Sequence, residues 1–121
     1  MLTWPPGIRL YVAIDPVDMR RSFDGLAAIV QHQLGLDPTA GHLVLFTNKR
    51  RHLLKALYFD RGGYTIVYRR LERGTFQLPD GDGQCVEIDP GLLAMMLEGI
   101  DLRSVVRRKR FVHRHPTAVH C

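Results

Sequence analysis

Cysteine is nearly absent from this chain of 121 residues. It occurs at Cys85 and Cys121 only, the second at the last position, which makes no disulfide framework and excludes the small disulfide-stapled class. There is no CxxC and no HExxH, so the spacings that most often hold zinc are missing. No apolar run approaches the roughly twenty residues that a membrane span needs. The stretch from Met1 to Pro6 lacks the basic region and apolar core of a secretory signal, so the expected compartment is a reducing cytoplasm. A Gly-rich phosphate loop ending in lysine is also lacking, and Ser22 and Ser104 have no flanking nucleophile-elbow glycines.

Acid is short in two places. Residues 38–79 hold eight Lys/Arg against Asp60 and Glu72 alone, a net of +6, and residues 102–121 hold six Lys/Arg and no acid. Between them, residues 80–101 carry six carboxylates and no base, a net of −6, while residues 1–37 sum to −1. The chain's +5 is therefore segmentally polarised. Such asymmetry points to an anionic partner for the basic segments and to a docking role for the acidic one.

With 45% hydrophobic and 24% charged residues, the chain has the composition of one folded domain. Residues 1–102 read as that domain and 103–121 as a mobile basic tail whose charges repel one another. Alternation over Ile8 to Ile14 predicts a half-buried first strand. Asp15-Pro16-Val17-Asp18 is a turn with Asp18 as N-cap, and a helix is expected from about Met19 to Leu34, with Phe23, Leu26, Ala27, Val30 and Leu34 as its apolar stripe and Gly35 as its stop. Leu43 to Thr47, Leu53 to Phe59 and Tyr64 to Arg70 read as strands separated by breaks at Asn48 to His52 and Asp60 to Gly63, with Arg61-Gly62-Gly63 as a hairpin turn. Neither face of Leu53 to Phe59 is cleanly polar, which fits a sheet covered partly on both sides. Phe76 to Leu78 reads as a brief strand, and Gln84 to Ile88, which alternates weakly, is a candidate to close the sheet. Asp89 and Pro90 then cap and open a second helix, apolar around much of its circumference through Leu92, Leu93, Met95, Met96, Leu97 and Ile100, to be buried or to clasp a partner. The fold class is α+β, a mainly antiparallel, curled sheet with two helices in a single domain.

Three kinds of chemistry can be set against these residues. Asp15, Asp18, Asp24 and Asp60 are the carboxylates from which a metal-dependent nuclease would be built, but Asp15 and Asp18 have turn and cap roles and no recognised acidic spacing is present. His113, His115, His120 and Cys121 have zinc-binding chemistry in a poor setting, the basic tail. Cys85 reads as a small apolar strand residue. No metal site, cofactor or catalytic residue is assigned. Phosphate neutralisation needs many cations in one place, and Lys49, Arg50, Arg51, Lys55, Arg69, Arg70 and Arg73, interleaved with Tyr58, Tyr64 and Tyr68, meet that need. The tyrosines serve either as base-stacking groups or as core packing.

Several stretches also carry a resemblance. They are Asp18-Met19-Arg20-Arg21-Ser22-Phe23-Asp24-Gly25-Leu26-Ala27, Asp37-Pro38 with Gly41-His42-Leu43, Asn48-Lys49-Arg50-Arg51, Lys55 with Tyr58-Phe59-Asp60, Tyr68-Arg69-Arg70-Leu71-Glu72-Arg73-Gly74-Thr75-Phe76, and Leu97-Glu98-Gly99-Ile100-Asp101. In colinear order over about residues 7–102 they resemble the TnpB-like, or Orf2-like, accessory protein of IS-sixty-six-type insertion sequences. Ser22 departs from the glycine common at that place, and the tail after Leu102 lies outside the resemblance. The resemblance implies a bacterial, non-enzymatic role in DNA transposition beside a separate transposase, and it brings no catalytic residues. Together with the charge pattern, the expectation is an accessory factor with DNA and the transposase of the same element as partners, homo-oligomer formation being open. The alternative is a protein-interaction module that binds the transposase through residues 80–101 without touching DNA.

Overall fold

A computed structural model describes residues 7–98, which form strands Leu10–Ala13 (β1), Leu43–Thr47 (β2), Leu53–Asp60 (β3), Gly63–Arg70 (β4) and Cys85–Ile88 (β5), with helices Phe23–His32 (α1) and Pro90–Glu98 (α2). The strands hydrogen-bond in the order β4-β3-β2-β1-β5. Only β1 and β2 run parallel; every other neighbouring pair is antiparallel. This is the single α+β domain that the residue pattern predicts. The last strand does not close the sheet, however: β5 adds to the free side of β1, leaving β4 and β5 as the two edges.

All four residues of β1 are buried, so it is shorter and more enclosed than the half-buried strand expected from Ile8 to Ile14. Strands flank it on both sides, and both faces are covered. Leu10 and Val12 join Leu43, Leu45, Leu54 and Ala56 on the face that Leu93 and Met96 of α2 cover. Tyr11 and Ala13 join Val44, Phe46 and Leu57 on the face that Leu26, Ile29 and Val30 of α1 cover. At about 1.5–3 kcal/mol for each large side chain removed from water, these two layers are the main stabilising term.

Two helix ends follow the expected chemistry. The Asp89 carboxylate accepts from the Leu92 amide at 2.8 Å, with Pro90 opening α2 where no amide is needed. Gly35 takes a φ of 70° after α1, allowing the Leu36 amide to fold back on the Val30 carbonyl at 3.0 Å. The β3–β4 hairpin turns through Arg61 and Gly62, both at positive φ, between the paired residues Asp60 and Gly63. Positive φ at both central positions gives the turn whose twist suits a two-residue hairpin.

The start of α1 differs from expectation by four residues. The Asp18 carboxylate accepts from the backbone amide and guanidinium of Arg20 and does not cap a helix. The Met19 and Arg21 carbonyls, which a helix from Met19 would direct along its axis, are instead taken by the Lys55 ammonium. Helix therefore begins only at Phe23, behind Ser22, whose side chain makes no cap hydrogen bond. The apolar stripe holds at Leu26, Ala27, Val30 and Leu34 and gains buried Ile29, but Phe23, its first expected member, is 45% exposed.

Residues 71–84 connect the two edge strands. Phe76 is no strand residue but a fully buried plug in the α2-side core, and Leu78 packs partly against the same cluster. At Gly81, a Cβ would overlap the Cγ2 of Val86 on β5. Gly81→Ala is accordingly expected to destabilise the fold by about 1–3 kcal/mol through overpacking, read as a fall of several degrees in Tm. An unchanged Tm would show that the loop slides away from β5 freely.

α2 uses its apolar surplus within this domain. Leu93 and Met96 are buried, and Leu92, Met95 and Leu97 pack partly against the same core. Ile100, the tail from Arg103 and the zinc-type residues His113, His115, His120 and Cys121 lie outside the described residues.

Candidate nucleic-acid interface

The break between β2 and β3 is a fastened loop. The Asn48 side-chain oxygen accepts from the His52 and Leu53 amides at 3.1 and 3.0 Å, and its Nδ2 lies 3.1 Å from His52 Nδ1. The Arg51 amide donates to the Asn48 carbonyl at 3.0 Å, and Arg51 adopts a φ of 61°. Asparagine suits this place because its short amide can satisfy several backbone groups of a turn at once. Lys49, Arg50 and Arg51 are thus displayed, all exposed, on backbone that is already ordered.

The chain leaving β4 is bound to that loop. The Leu71 amide donates to the His52 carbonyl at 2.9 Å and the Phe76 amide to the Arg51 carbonyl at 2.7 Å. Buried Phe76 anchors this segment from below, so Arg70 and Arg73 are held beside the loop at the same end of the sheet. Arg70 pairs with Glu72 at 2.9 Å, both side chains being largely solvated. Among the described residues no carboxylate pairs with Lys49, Arg50, Arg51 or Arg73.

Two of the expected cations have other work. Lys55 is only 8% exposed; its ammonium donates to the Met19 and Arg21 carbonyls at 2.7 and 2.8 Å and lies 4.7 Å from the centre of the Tyr68 ring. It straps the 17–21 segment onto β3, a segment also held where the Val17 amide donates to Thr47 at 2.9 Å. Arg69 and Arg70 are successive strand residues and face opposite ways. Arg69 turns toward α2, and its Nε donates to the Leu97 carbonyl at 2.9 Å. The positive charge is therefore concentrated on a rim, not spread over one sheet face.

The strap adds residues that the charge pattern alone left aside. Arg20 and Arg21 lie exposed on it, next to the end of β2. Arg20 is engaged by Asp18 at 2.7 Å, and those hydrogen bonds hold the Asp18 carboxyl down at about 2. The Arg21 side chain runs over Gly25, where an added Cβ would come within 3.2 Å of it. Of the three candidate stacking tyrosines, Tyr58 and Tyr64 pack against the two cores and only Tyr68 is open, at 54% exposure. The consecutive Arg20-Arg21 pair was a visible signal, but only the Lys55 contacts place it at this end.

Across the sheet the charge reverses. Asp80, Asp82 and Asp89 are exposed around the β5 edge, and Glu87 pairs with Arg9 at 3.5 Å. His42 there meets Tyr11 edge-on, with ring centres 5.3 Å apart, and burial lowers its pKa, which keeps it out of the cationic set. Asp15, Asp18, Asp24 and Asp60 do not converge with other ligand types into a group of three or more that would hold a metal ion, among the described residues. None of the described helices is long and apolar enough to cross a membrane.

The model of the IS66 Orf2-like protein family matches residues 8–107, spanning the whole sheet, the strap and the rim. The chain belongs to that family. It is an accessory-protein family of IS66 insertion elements, which places this protein with transposition. Two relatives in Sinorhizobium fredii carry names that assign no activity. The uncharacterized protein y4hO is 37% identical over 103 residues, covering 85% of this chain and 90% of its own. The uncharacterized protein y4jC is 33% identical over 102 residues, covering 84% and 87%. No solved structure matches the chain.

Proposed function

We propose that this IS66 Orf2-like protein is a non-catalytic DNA-binding accessory factor of transposition, gripping the sugar-phosphate backbone with the rim formed by Lys49, Arg50, Arg51, Arg70 and Arg73 and acting beside the element's transposase. The observation that carries this reading is the fastened Asn48–His52 loop, which presents three cations without a carboxylate partner among the described residues. A loop ordered before binding loses little further entropy when it meets phosphates. Arg69, tied to Leu97, contributes charge from the opposite face, and Lys55 contributes by holding the strap. The acidic β5 edge is the surface left for the transposase, as like charge keeps it from DNA. The reading in which the basic surface serves solubility alone gains nothing from α2, whose apolar residues are engaged in the domain's own core.

The test is a salt titration of the purified protein on insertion-end duplex DNA, with and without transposase. Neutralising about five phosphates gives a slope of roughly −4 for log affinity against log salt. A flat salt response would remove the DNA-binding reading. Enhancement of end binding by transposase would support the joint action, and two additive, independent occupancies would count against it.

A further inference from the structure

Two large apolar side chains are exposed among the described residues, Phe23 at 45% and Tyr68 at 54%, and one buried group is tied to Tyr68 and to the backbone just before Phe23. That group is the Lys55 ammonium. It lies 4.7 Å from the centre of the Tyr68 ring and binds the carbonyl of Arg21, two residues before Phe23. Tyr68 belongs to edge strand β4, so among the described residues no further strand shields it. Arg70, two residues on, shares its face of β4, and Arg21 lies on the strap. An aromatic ring kept in the open needs an explanation when Tyr58 and Tyr64, on neighbouring stretches of the same hairpin, pack inward.

We infer that Tyr68 is a stacking site for an unpaired base, so that the protein engages single-stranded DNA at the edge of the basic rim. This rests on the DNA-binding reading above and specifies the strand state. The faces of all four bases are planar and apolar, and stacking on an aromatic ring tolerates every sequence. In a duplex those faces are covered by neighbouring bases, so a stacking ring discriminates for unpaired DNA where phosphate contacts do not. The cation under Tyr68 holds the ring in one orientation, reducing what stacking must order. Arg70, two residues on along the same face of β4, supplies charge next to the ring of the kind that a phosphate beside a splayed base requires, and the Arg21 backbone is tied to the same Lys55 ammonium. Continuity with the rim lets one strand run from the Asn48–His52 loop, past Arg70, onto Tyr68.

The experiment compares an unstructured oligothymidine with a duplex of equal length by fluorescence anisotropy. Tyr68→Ala is expected to weaken oligothymidine binding about ten- to a hundredfold and duplex binding by less than about threefold, while Tyr68→Phe restores the oligothymidine affinity. Tyr68→Leu keeps an apolar cover over Lys55 but removes the planar face, so it should bind like Tyr68→Ala while its Tm falls by no more than several degrees. Tyr68→Trp should show emission quenched by oligothymidine and not by duplex. Equal loss on both substrates, or a Leu variant as tight as wild type, would overturn the stacking site and leave DNA binding standing. If the wild-type protein bound neither substrate, the DNA reading would fail and the stacking site with it.

Discussion

Reversing the three loop cations together, Lys49→Glu, Arg50→Glu and Arg51→Glu, should lower duplex affinity by roughly a hundredfold or more at about 0.1 M salt while leaving the unfolding transition almost in place. Three counterion-releasing contacts are lost and three like charges are brought against the phosphate backbone. Stability is spared because all three side chains are exposed and none has a carboxylate partner among the described residues to lose. Arg51 already stands at a φ of 61°, so replacing one straight-chain residue by another leaves the backbone strain as it was. Anisotropy against salt and a thermal melt read the two quantities separately. The slope should flatten by about three. A variant that melts normally and binds with wild-type affinity would take the loop out of the interface.

Lys55→Met should behave in the opposite way, with a loss of about 2–3 kcal/mol in stability and little change in duplex affinity while the protein remains folded. Methionine keeps most of the side-chain length but neither donates to the Met19 and Arg21 carbonyls nor supplies a cation to Tyr68. Hydrogen bonds from a charged donor are worth about twice neutral ones, and these two span 36 and 34 residues of sequence, tying the strap to the sheet. Urea unfolding measures the loss, and amide exchange should show residues 17–22 opening ahead of the sheet. Wild-type stability together with a large fall in duplex binding would return Lys55 to the phosphate-contacting set.

The difference between these two variants marks the limit of charge counting. All four positions are lysine or arginine in one basic stretch, and nothing local distinguishes a solvated cation from one spent on carbonyls. Lys55 alternates with Leu53 and Leu57 on the same face, a pattern that places it toward a covering layer, but the layer is made by residues more than thirty positions earlier. The same distance explains the misplaced start of α1. Local signals, the Asp18 cap and the Phe23 stripe, favoured helix from Met19, and a lysine on β3 outcompeted them for the carbonyls. Phe76 is the converse case: a short apolar run resembling a strand becomes a core plug because its amide is taken by Arg51 and its ring by the α2-side core.

Features that depend on neighbours along the chain are legible in the residues alone. Aliphatic and aromatic runs bounded by turn residues gave the hairpin strands β3 and β4, asparagine and glycine the turns, Asp89 and Pro90 the start of α2, and the clustering of Lys49 to Arg51 the first half of the candidate interface. Long-range packing settles which cations face solvent, sends Arg69 to the α2 side, and ties the Arg21 backbone and Tyr68 to one lysine at the same end of the open sheet. Periodicity reports which side of an element is apolar, because that is a property of spacing. It does not report what arrives to cover that side, because the covering chain is brought there by closure of long loops and by hydrogen bonds between residues far apart in the sequence.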